Sequence, residues 1–507
     1  MNRVRHYVSG AKDKRIEGNS VVMGRIQYFS TVLGELGGML VFISPLTLVP
    51  LLVVLFSREW NMFLPMALVP VLFFVLGKLL DLLPRRREEI RLSAALCSVA
   101  LVWLAFALVS SIPFIMVLKM PFVNALFEGM AGWTGTSFTM LENLVETPRT
   151  LLFWRTYMQW IGGVGIIAFT ITMANRSGLN QSPYFRSDSR TERILPGVIT
   201  TGRKIWAVYI LITLMATGAI LLTRVPLWDA INLALSGIST GGFIPHAGGL
   251  SYYQNHLLEY LLIPIMIIGS APFTLYYASY QRRKFSLFGD EQLKLLIIFV
   301  IFGALIVISD LYFISRYPVE EAVRQGLFMT AAAVSTTGFQ NANPHLFPSV
   351  TVVFLTMLMF IGGASGSTAG GVKLSRIALG YRGIIWWFRR VFVRGKVLVA
   401  FKYEGRTISN NVAEPELAKN MLVIILAVLT VFAATLVILQ VHITSFGLTE
   451  LIFDIVSGFS SCGITTGYVS PTMPVISKWV FILVMWVGRL EVIPVIVLFM
   501  GIFRGRD

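Results

Sequence analysis

FEGMAGWTGTSF, from Phe127 to Phe138, is a short apolar stretch that runs into a tetrad of small residues, and three further stretches align with it without a gap. They are NLALSGISTGGF (Asn232 to Phe243), FMTAAAVSTTGF (Phe328 to Phe339) and FDIVSGFSSCGI (Phe453 to Ile464). Each has the length of a half-helix, then Ser, Thr, Gly or Cys at four positions, then Phe or Ile. One such stretch is an ordinary Ser/Gly-rich loop. Four of them, each flanked by long apolar runs, are an internal repeat. The unit reads as span, re-entrant half-helix, tetrad, span. Two spans return the chain to its starting side, so the units share one orientation about an axis along the membrane normal, unlike inverted-repeat transporters. Non-helical backbone is tolerated at membrane depth only where protein buries it or where it lines a wet cavity. Four tetrads meeting around one axis therefore read as the lining of a pore.

Composition agrees with a membrane location. Of the 507 residues 55% are hydrophobic and only 13% charged, against about a quarter charged in soluble domains, and the mean hydropathy is +0.73. A cytosolic globular protein is excluded. Apolar runs near the ~20 residues a bilayer requires predict about ten spans. They lie near 30–57, 61–82, 92–117, 151–174, 205–223, 256–280, 293–315, 350–388, 418–442 and 476–503. The net charge of +16 would suit nucleic acid on a soluble chain, but here it sorts by segment. Arg85, Arg86, Arg87, Arg186, Arg190, Arg193, Arg203, Lys204, Arg282, Arg283 and Lys284 fall on one side. The run from Arg389 to Arg406 joins them, with Lys12, Lys14, Arg15, Arg504 and Arg506 at the termini. The alternate segments hold only Arg58, Lys119, Arg149, Arg224, Arg316, Arg324 and Lys478. The positive-inside bias makes the rich side cytoplasmic, so both termini are expected inside a cell membrane, with lipid and not nucleic acid as neighbour. The first residues lack the apolar core of a signal peptide, and Cys97 and Cys462 are too few for a disulfide framework.

The tetrads suit a small monovalent cation. Glycine takes backbone angles closed to other residues, so successive carbonyls can point inward and replace an ion's water shell. Ser and Thr hydroxyls add neutral oxygens, and the half-helices turn their negative C-terminal ends toward the axis. No carboxylate lies in any tetrad, which disfavours divalent cations and anions more strongly. No GxxxxGK(S/T) motif occurs, so the chain is not expected to hydrolyse ATP or to carry a cofactor. An intramembrane enzyme would need a nucleophile with a nearby base, which Cys462 lacks in its own segment. A secondary transporter coupled to protons or sodium is the harder rival to set aside, because backbone sites can bind substrate as well as conduct it. Proton coupling needs an ionisable group in the path, and Arg489 and Lys373 titrate far from neutrality. Passive movement fits better.

Span, pore helix and span, repeated fourfold with ST(T/G)GF-type tetrads, resembles the TrkH/KtrB/HKT superfamily of potassium transporters. WIGGVGIIAF from Trp160, GGASGSTAGGVK from Gly362 and VGRLEVIPV from Val487 carry the likeness outside the tetrads, and two extra N-terminal spans bring it nearer TrkH than KtrB. The resemblance implies an all-α integral membrane fold: four parallel M1–pore helix–M2 repeats around a central pore, plus two extra N-terminal transmembrane helices. The N-terminal segment with those helices is expected at 1–90, and the repeats at 91–175, 176–290, 291–405 and 406–507. It further implies potassium as the transported ion, a homodimer, and a cytosolic ring of nucleotide-binding RCK-type regulatory subunits. The basic run from Arg389 to Arg406 offers that ring a surface. The implied filter is Thr134, Gly135, Thr136 and Ser137; Ser239, Thr240, Gly241 and Gly242; Ser335, Thr336, Thr337 and Gly338; and Ser460, Ser461, Cys462 and Gly463.

Ser137 departs from that pattern, because the matching positions hold Gly242, Gly338 and Gly463. Serine here resembles the sodium-permeable class of plant HKT transporters. A Cβ penalises a left-handed backbone by about 1–2 kcal/mol, and the hydroxyl comes near the ion path, so either effect would loosen selection of potassium over sodium. The alternative is a permitted conformation at Ser137 with the other three tetrads dominant.

Two more features stay open at this point. Gly362, Gly363, Ala364, Ser365, Gly366, Ser367, Thr368, Ala369, Gly370, Gly371 and Lys373 fall where a helix should continue, and the glycines break it. The resemblance makes this stretch a gating loop; the alternative is a frayed helix end, with Lys373 toward the inside solution or the pore. Arg489 sits in the last span, where a central arginine costs ~2.5–3.5 kcal/mol. It is either a positive barrier facing the pore, as in the family, or half of an ion pair with another span.

Overall fold

The computed structural model describes residues 25–83, 92–174, 198–282, 290–392, 399–403, 406–441 and 445–504. Lys12, Lys14, Arg15, Arg85 to Arg87, the arginines from 186 to 193, Arg283, Lys284, Arg394, Lys396 and Arg506 lie outside the described residues. Among the described residues the regular structure is helical apart from one short hairpin. Helices α1 (Arg25–Ile43), α2 (Val49–Ser57) and α3 (Phe63–Asp81) come first, then α4 (Leu92–Ser110), α5 (Ile112–Leu118), α6 (Phe122–Thr134) and α7 (Arg149–Ala174). Next are α8 (Val198–Leu221), α9 (Leu227–Ile238), α10 (His256–Ser270) and α11 (Phe273–Arg282). They are followed by α12 (Glu291–Phe313), α13 (Val319–Val334), α14 (Ser349–Ile361) and α15 (Leu374–Phe392). Strands β1 (Phe401–Tyr403) and β2 (Arg406–Ile408) pair antiparallel, ahead of α16 (Asn410–Val441), α17 (Leu448–Phe459), α18 (Val475–Arg489) and α19 (Ile493–Arg504).

Among the described residues, six helical runs are long and apolar enough to cross a bilayer, or eight if each of two bent pairs counts once. The runs expected near 256–280 and 476–503 are not straight. The first bends by 90° between α10 and α11, the second by 106° between α18 and α19. Proline explains the first bend: Ala271, ahead of Pro272, is extended (φ −88°, ψ 156°), as the proline ring demands of its predecessor. At the second, Glu491 and Val492 both take positive φ (57° and 67°) just before Pro494. The run near 350–388 separates into α14 and α15 with the glycine-rich stretch between them.

A junction recurs where the chain turns into three of the four short helices. Lys119, Arg224 and Arg316 each take a left-handed conformation (φ 52°, 63° and 59°), and a proline follows two residues later at 121, 226 and 318. The fixed φ of proline opens the next helix, and its carbonyl accepts the first helical bond, from Ala125 (3.0 Å), Ala230 (2.9 Å) and Ala322 (2.9 Å). These are three of the few basic residues on the poor side. They sit at helix C-termini, where positive charge is favoured. Two apolar cores, one built on α1, α4, α6, α7, α18 and α19 and the other on α8 to α14, share Trp160 and Phe360 at their boundary.

Candidate functional site

Each short helix, α6, α9, α13 and α17, ends in its tetrad with the same pair of bonds. The N–H of the second tetrad residue reaches the carbonyl three residues back: Gly135 to Gly132, Thr240 to Gly237, Thr336 to Ala333 and Ser461 to Gly458 (3.1–3.2 Å). The third N–H reaches five back: Thr136 to Ala131, Gly241 to Ser236, Thr337 to Ala332 and Cys462 to Ser457 (2.7–3.0 Å). This is the Schellman C-cap, which needs a left-handed residue at its second position. That position has φ of 71° at Gly135 but 49°, 52° and 54° at Thr240, Thr336 and Ser461. Left-handed backbone costs a side-chain-bearing residue about 1–2 kcal/mol, so three of the four caps hold local strain.

The fourth tetrad residues converge on one spot. A Cβ added to Gly242 would stand 2.8 Å from the Ser137 Cβ; one on Gly338 would strike the Cys462 carbonyl and Ser137 Oγ; one on Gly463 would strike the Ser137 N–H. Only glycine permits that approach. Gly242, Gly338 and Gly463 have φ of 79°, 83° and 91°, whereas Ser137 is not in the left-handed region. Of the two outcomes the sequence left open, its backbone takes the permitted one. The hydroxyl is the active difference: Ser137 Oγ donates to Gly338 O (2.9 Å) and lies 3.1 Å from Cys462 O, while Ser137 N–H donates to Cys462 O (3.2 Å).

Six of the other tetrad hydroxyls turn to the wall. Thr134 Oγ1 donates to Met130 O and meets Thr136 Oγ1; Ser335 Oγ meets Thr337 Oγ1; Ser239 and Ser460 bond back to Ser236 O and Ser457 O. Cys462 Sγ faces Ala332 O at 3.7 Å. Backbone carbonyls, with the buried and unpartnered Ser461 Oγ, are thus the oxygens the tetrads leave for a ligand. Among the described residues no group of three His, Cys, Asp or Glu could hold a metal.

Residues that the sequence reading missed brace the tetrads. Gln159 on α7 is fully buried; its amide donates to Gly241 O (2.6 Å), and its carbonyl accepts from Ser236 Oγ (3.1 Å) and Phe243 N–H (3.3 Å). Glu128 accepts from Thr139 Oγ1 and Met140 N–H, and pairs with Arg155 at 3.1 Å. Asp454 accepts from Thr465 Oγ1 (2.6 Å), Thr466 N–H (2.8 Å) and Val469 N–H (3.3 Å). Both carboxylates lie six residues before their tetrads, which the ungapped alignment displays. In the other two units Asp229 holds His246 (3.1 Å), and Gln340 bridges to Thr465.

The glycine-rich stretch is an ordered loop packed against three tetrads. It leaves α14 at Gly362 (φ 72°) and closes on itself through Val372 N–H to Phe360 O and Lys373 N–H to Ile361 O, both 2.9 Å. It is pinned into the α10–α11 bend by Ala364 N–H to Ser270 O (3.0 Å) and Phe273 N–H to Gly366 O (3.0 Å). Thr368 Oγ1 bonds to Gly269 O (2.9 Å) and Ile238 O (3.0 Å), and Thr240 Oγ1 to Thr368 Oγ1 (3.1 Å). Gly370 N–H donates to Thr336 Oγ1 at 2.7 Å. Lys373 is buried and folds its ammonium back onto the Ala369 carbonyl, so it points neither to the inside solution nor freely into a path.

Arg489 ends α18 at the bend and is 3% exposed. Its guanidinium donates to Thr368 O (2.9 Å) and Gly162 O (3.2 Å), and lies over the Trp103 ring at 5.7 Å. A Cβ on Gly135 would be 3.8 Å from it. Its hydrogen-bond partners are carbonyls and not a carboxylate; the ion pair to another helix is made instead by Glu491, with Arg376 of α15.

The chain is similar to known proteins over most of its length. A family model described as TrkH, cation transport protein, matches residues 67–503. An uncharacterised cation transporter of Methanocaldococcus jannaschii is 30% identical over 93% of this chain and 95% of its own length. The Trk system potassium uptake protein TrkG of Escherichia coli is 25% identical over 93% and 98%. The crystal structure of the potassium transporter TrkH from Vibrio parahaemolyticus has the same fold, with a TM-score of 0.82 at 24% identity, over 94% of this chain and 99% of that one. With the family model spanning most of its length, the chain belongs to the TrkH family of cation transport proteins.

Proposed function

We propose that this integral membrane transport protein, which is not an enzyme, is a channel-like uptake subunit for monovalent cations, potassium foremost. The observation that carries the reading is the meeting of Ser137, Gly242, Gly338 and Gly463 at one point, each just past the C-terminus of a short helix. Four helix ends bring partial negative charge to that point, and carbonyls without carboxylates match a monovalent cation. In this reading the four tetrads are the filter, in four M1–pore helix–M2 repeats at 91–175, 176–290, 291–405 and 406–507, preceded by two extra helices. The loop from Gly362 to Lys373 is the gate, and Arg489 beside Gly135 is a barrier to cations. The protein resides in the cell membrane as a homodimer with both termini cytoplasmic, and an RCK-type nucleotide-binding subunit moves the loop. An inside-negative potential draws cations inward by ~2.3 kcal/mol per charge per 100 mV. Similarity to the E. coli potassium uptake protein TrkG supports potassium as the ion.

The test is bi-ionic flux in liposomes holding the purified protein, comparing potassium, rubidium and sodium. Potassium and rubidium well ahead of sodium is the expected result. Comparable sodium flux would make the pathway mixed, and silence that persists after deletion of residues 362–371 would sink the pore.

A further inference from the structure

We infer that the glycine-rich loop is part of the selecting structure as well as a closure, with Thr368 and the Gly370 N–H as positioning groups for the filter. The inference rests on the filter and gate reading above and goes beyond it. The second tetrad residues are the strained ones, and the loop touches each of the three that carry a side chain. Thr240 Oγ1 is bonded to Thr368 Oγ1 (3.1 Å), and Thr336 Oγ1 accepts the Gly370 N–H (2.7 Å). The Ser461 Cβ stands 3.1 Å from where a Gly370 Cβ would lie. The second residue of the remaining tetrad, Gly135, faces Arg489, which is itself bonded to the Thr368 carbonyl. Thr368 thus gives its hydroxyl side to the second tetrad and its carbonyl to Arg489.

A left-handed Thr persists only where its surroundings over-determine it. The loop supplies part of that determination from a side of the tetrads that their own caps do not reach. Moving the loop away therefore frees Thr240, Thr336 and Ser461 to relax, and the carbonyls between them and the fourth residues move with them. A loop acting only as a plug changes how many ions pass. A loop that also positions the filter changes which ions pass.

The experiment measures total flux and the sodium-to-potassium ratio in liposomes for the full chain, Thr368→Val, Thr368→Ser, Thr336→Val and Ser365→Ala. Valine keeps the shape and removes the hydroxyl. Thr368→Val and Thr336→Val should each shift the ratio toward sodium by about fivefold, the factor that one hydrogen bond's net worth corresponds to. Thr368→Ser should restore the parent ratio. Ser365 Oγ bonds Ser375 at the start of α15 and no tetrad, so Ser365→Ala should leave the ratio unchanged whatever it does to total flux. If Thr368→Val does not fold, Thr336→Val tests the loop's other contact with the filter, the one from the Gly370 N–H. Raised flux at an unchanged ratio in both valine variants overturns the inference and leaves the gate reading standing. A full chain without preference among the cations overturns the filter reading itself.

Discussion

Ser137 Oγ donates to the carbonyl of Gly338 at 2.9 Å, so the first tetrad reaches into the third where the matching residues of the other three have no side chain. A cation held by that carbonyl competes with a hydroxyl proton already in place. The backbone of Ser137 is not left-handed, so its Cβ carries no conformational penalty and the hydroxyl is what distinguishes this fourth position from Gly242, Gly338 and Gly463.

That separation is measurable. Ser137→Gly should raise the potassium-to-sodium flux ratio by freeing the Gly338 carbonyl, and Ser137→Ala should raise it nearly as far. An alanine variant that behaves like the parent, with only glycine shifting the ratio, would assign the effect to the Cβ and refute the role of the hydroxyl.

The buried carboxylates differ in what they leave behind. Glu128 is fully buried and pairs with Arg155, itself 2% exposed. Glu128→Gln therefore strands a buried cation, a defect worth about 3–5 kcal/mol. Asp454 holds only hydroxyls and N–H groups in the described structure, so Asp454→Asn loses about 1–3 kcal/mol. Thermal unfolding in detergent should place Glu128→Gln below Asp454→Asn, and Arg155→Met added to Glu128→Gln should recover part of the loss. Equal melting temperatures for the two single variants would contradict this assignment.

What the sequence made legible follows the range of the interactions. Tetrads at helix ends were readable because a Schellman cap is local, and the same i−3 and i−5 bonds form wherever small residues follow a short apolar helix. The pairing of Glu128 with Thr139, and of Asp454 with Thr465, was also local, lying in the alignment at equal offsets without being read. The bends were not legible as bends: Pro272 and Pro494 were in view, but an apolar run conceals a direction change that only packing fixes. Least legible were Thr368 against Thr240 and Gly370 against Thr336, contacts between residues far apart in the chain whose small side chains carry no pattern.

Arg376 and Glu491 join α15, which follows the loop, to the bend that follows Arg489. Both side chains are about one-fifth exposed (21% and 18%), so screening is partial. A double-mutant cycle with Arg376→Gln and Glu491→Gln should give a coupling of about 1 kcal/mol in unfolding free energy. The same variants should raise basal flux, because the pair ties the loop's exit helix in place. Additive effects on stability and flux would mean that the pair is incidental.

Arg489 offers two explanations of closure that one pair of substitutions separates. In the proposed reading its charge beside Gly135 is the barrier to cations; its two N–H groups also hold Thr368 O and Gly162 O together, joining the loop to α7. Lysine keeps the charge, but its single ammonium cannot reproduce the planar fork that spans two carbonyls. Glutamine removes the charge and keeps one amide donor. Under the clamp both variants leak: flux without any regulator should rise several-fold in Arg489→Lys and further in Arg489→Gln, where charge and clamp go together. Under a purely electrostatic barrier Arg489→Lys stays as tight as the parent and only Arg489→Gln leaks. The geometry favours the clamp contributing, because Thr368 is the residue whose hydroxyl also reaches the second tetrad, so slack at Arg489 is transmitted to Thr240 through one side chain. A tight lysine variant would remove Arg489 from the set of groups that hold the loop.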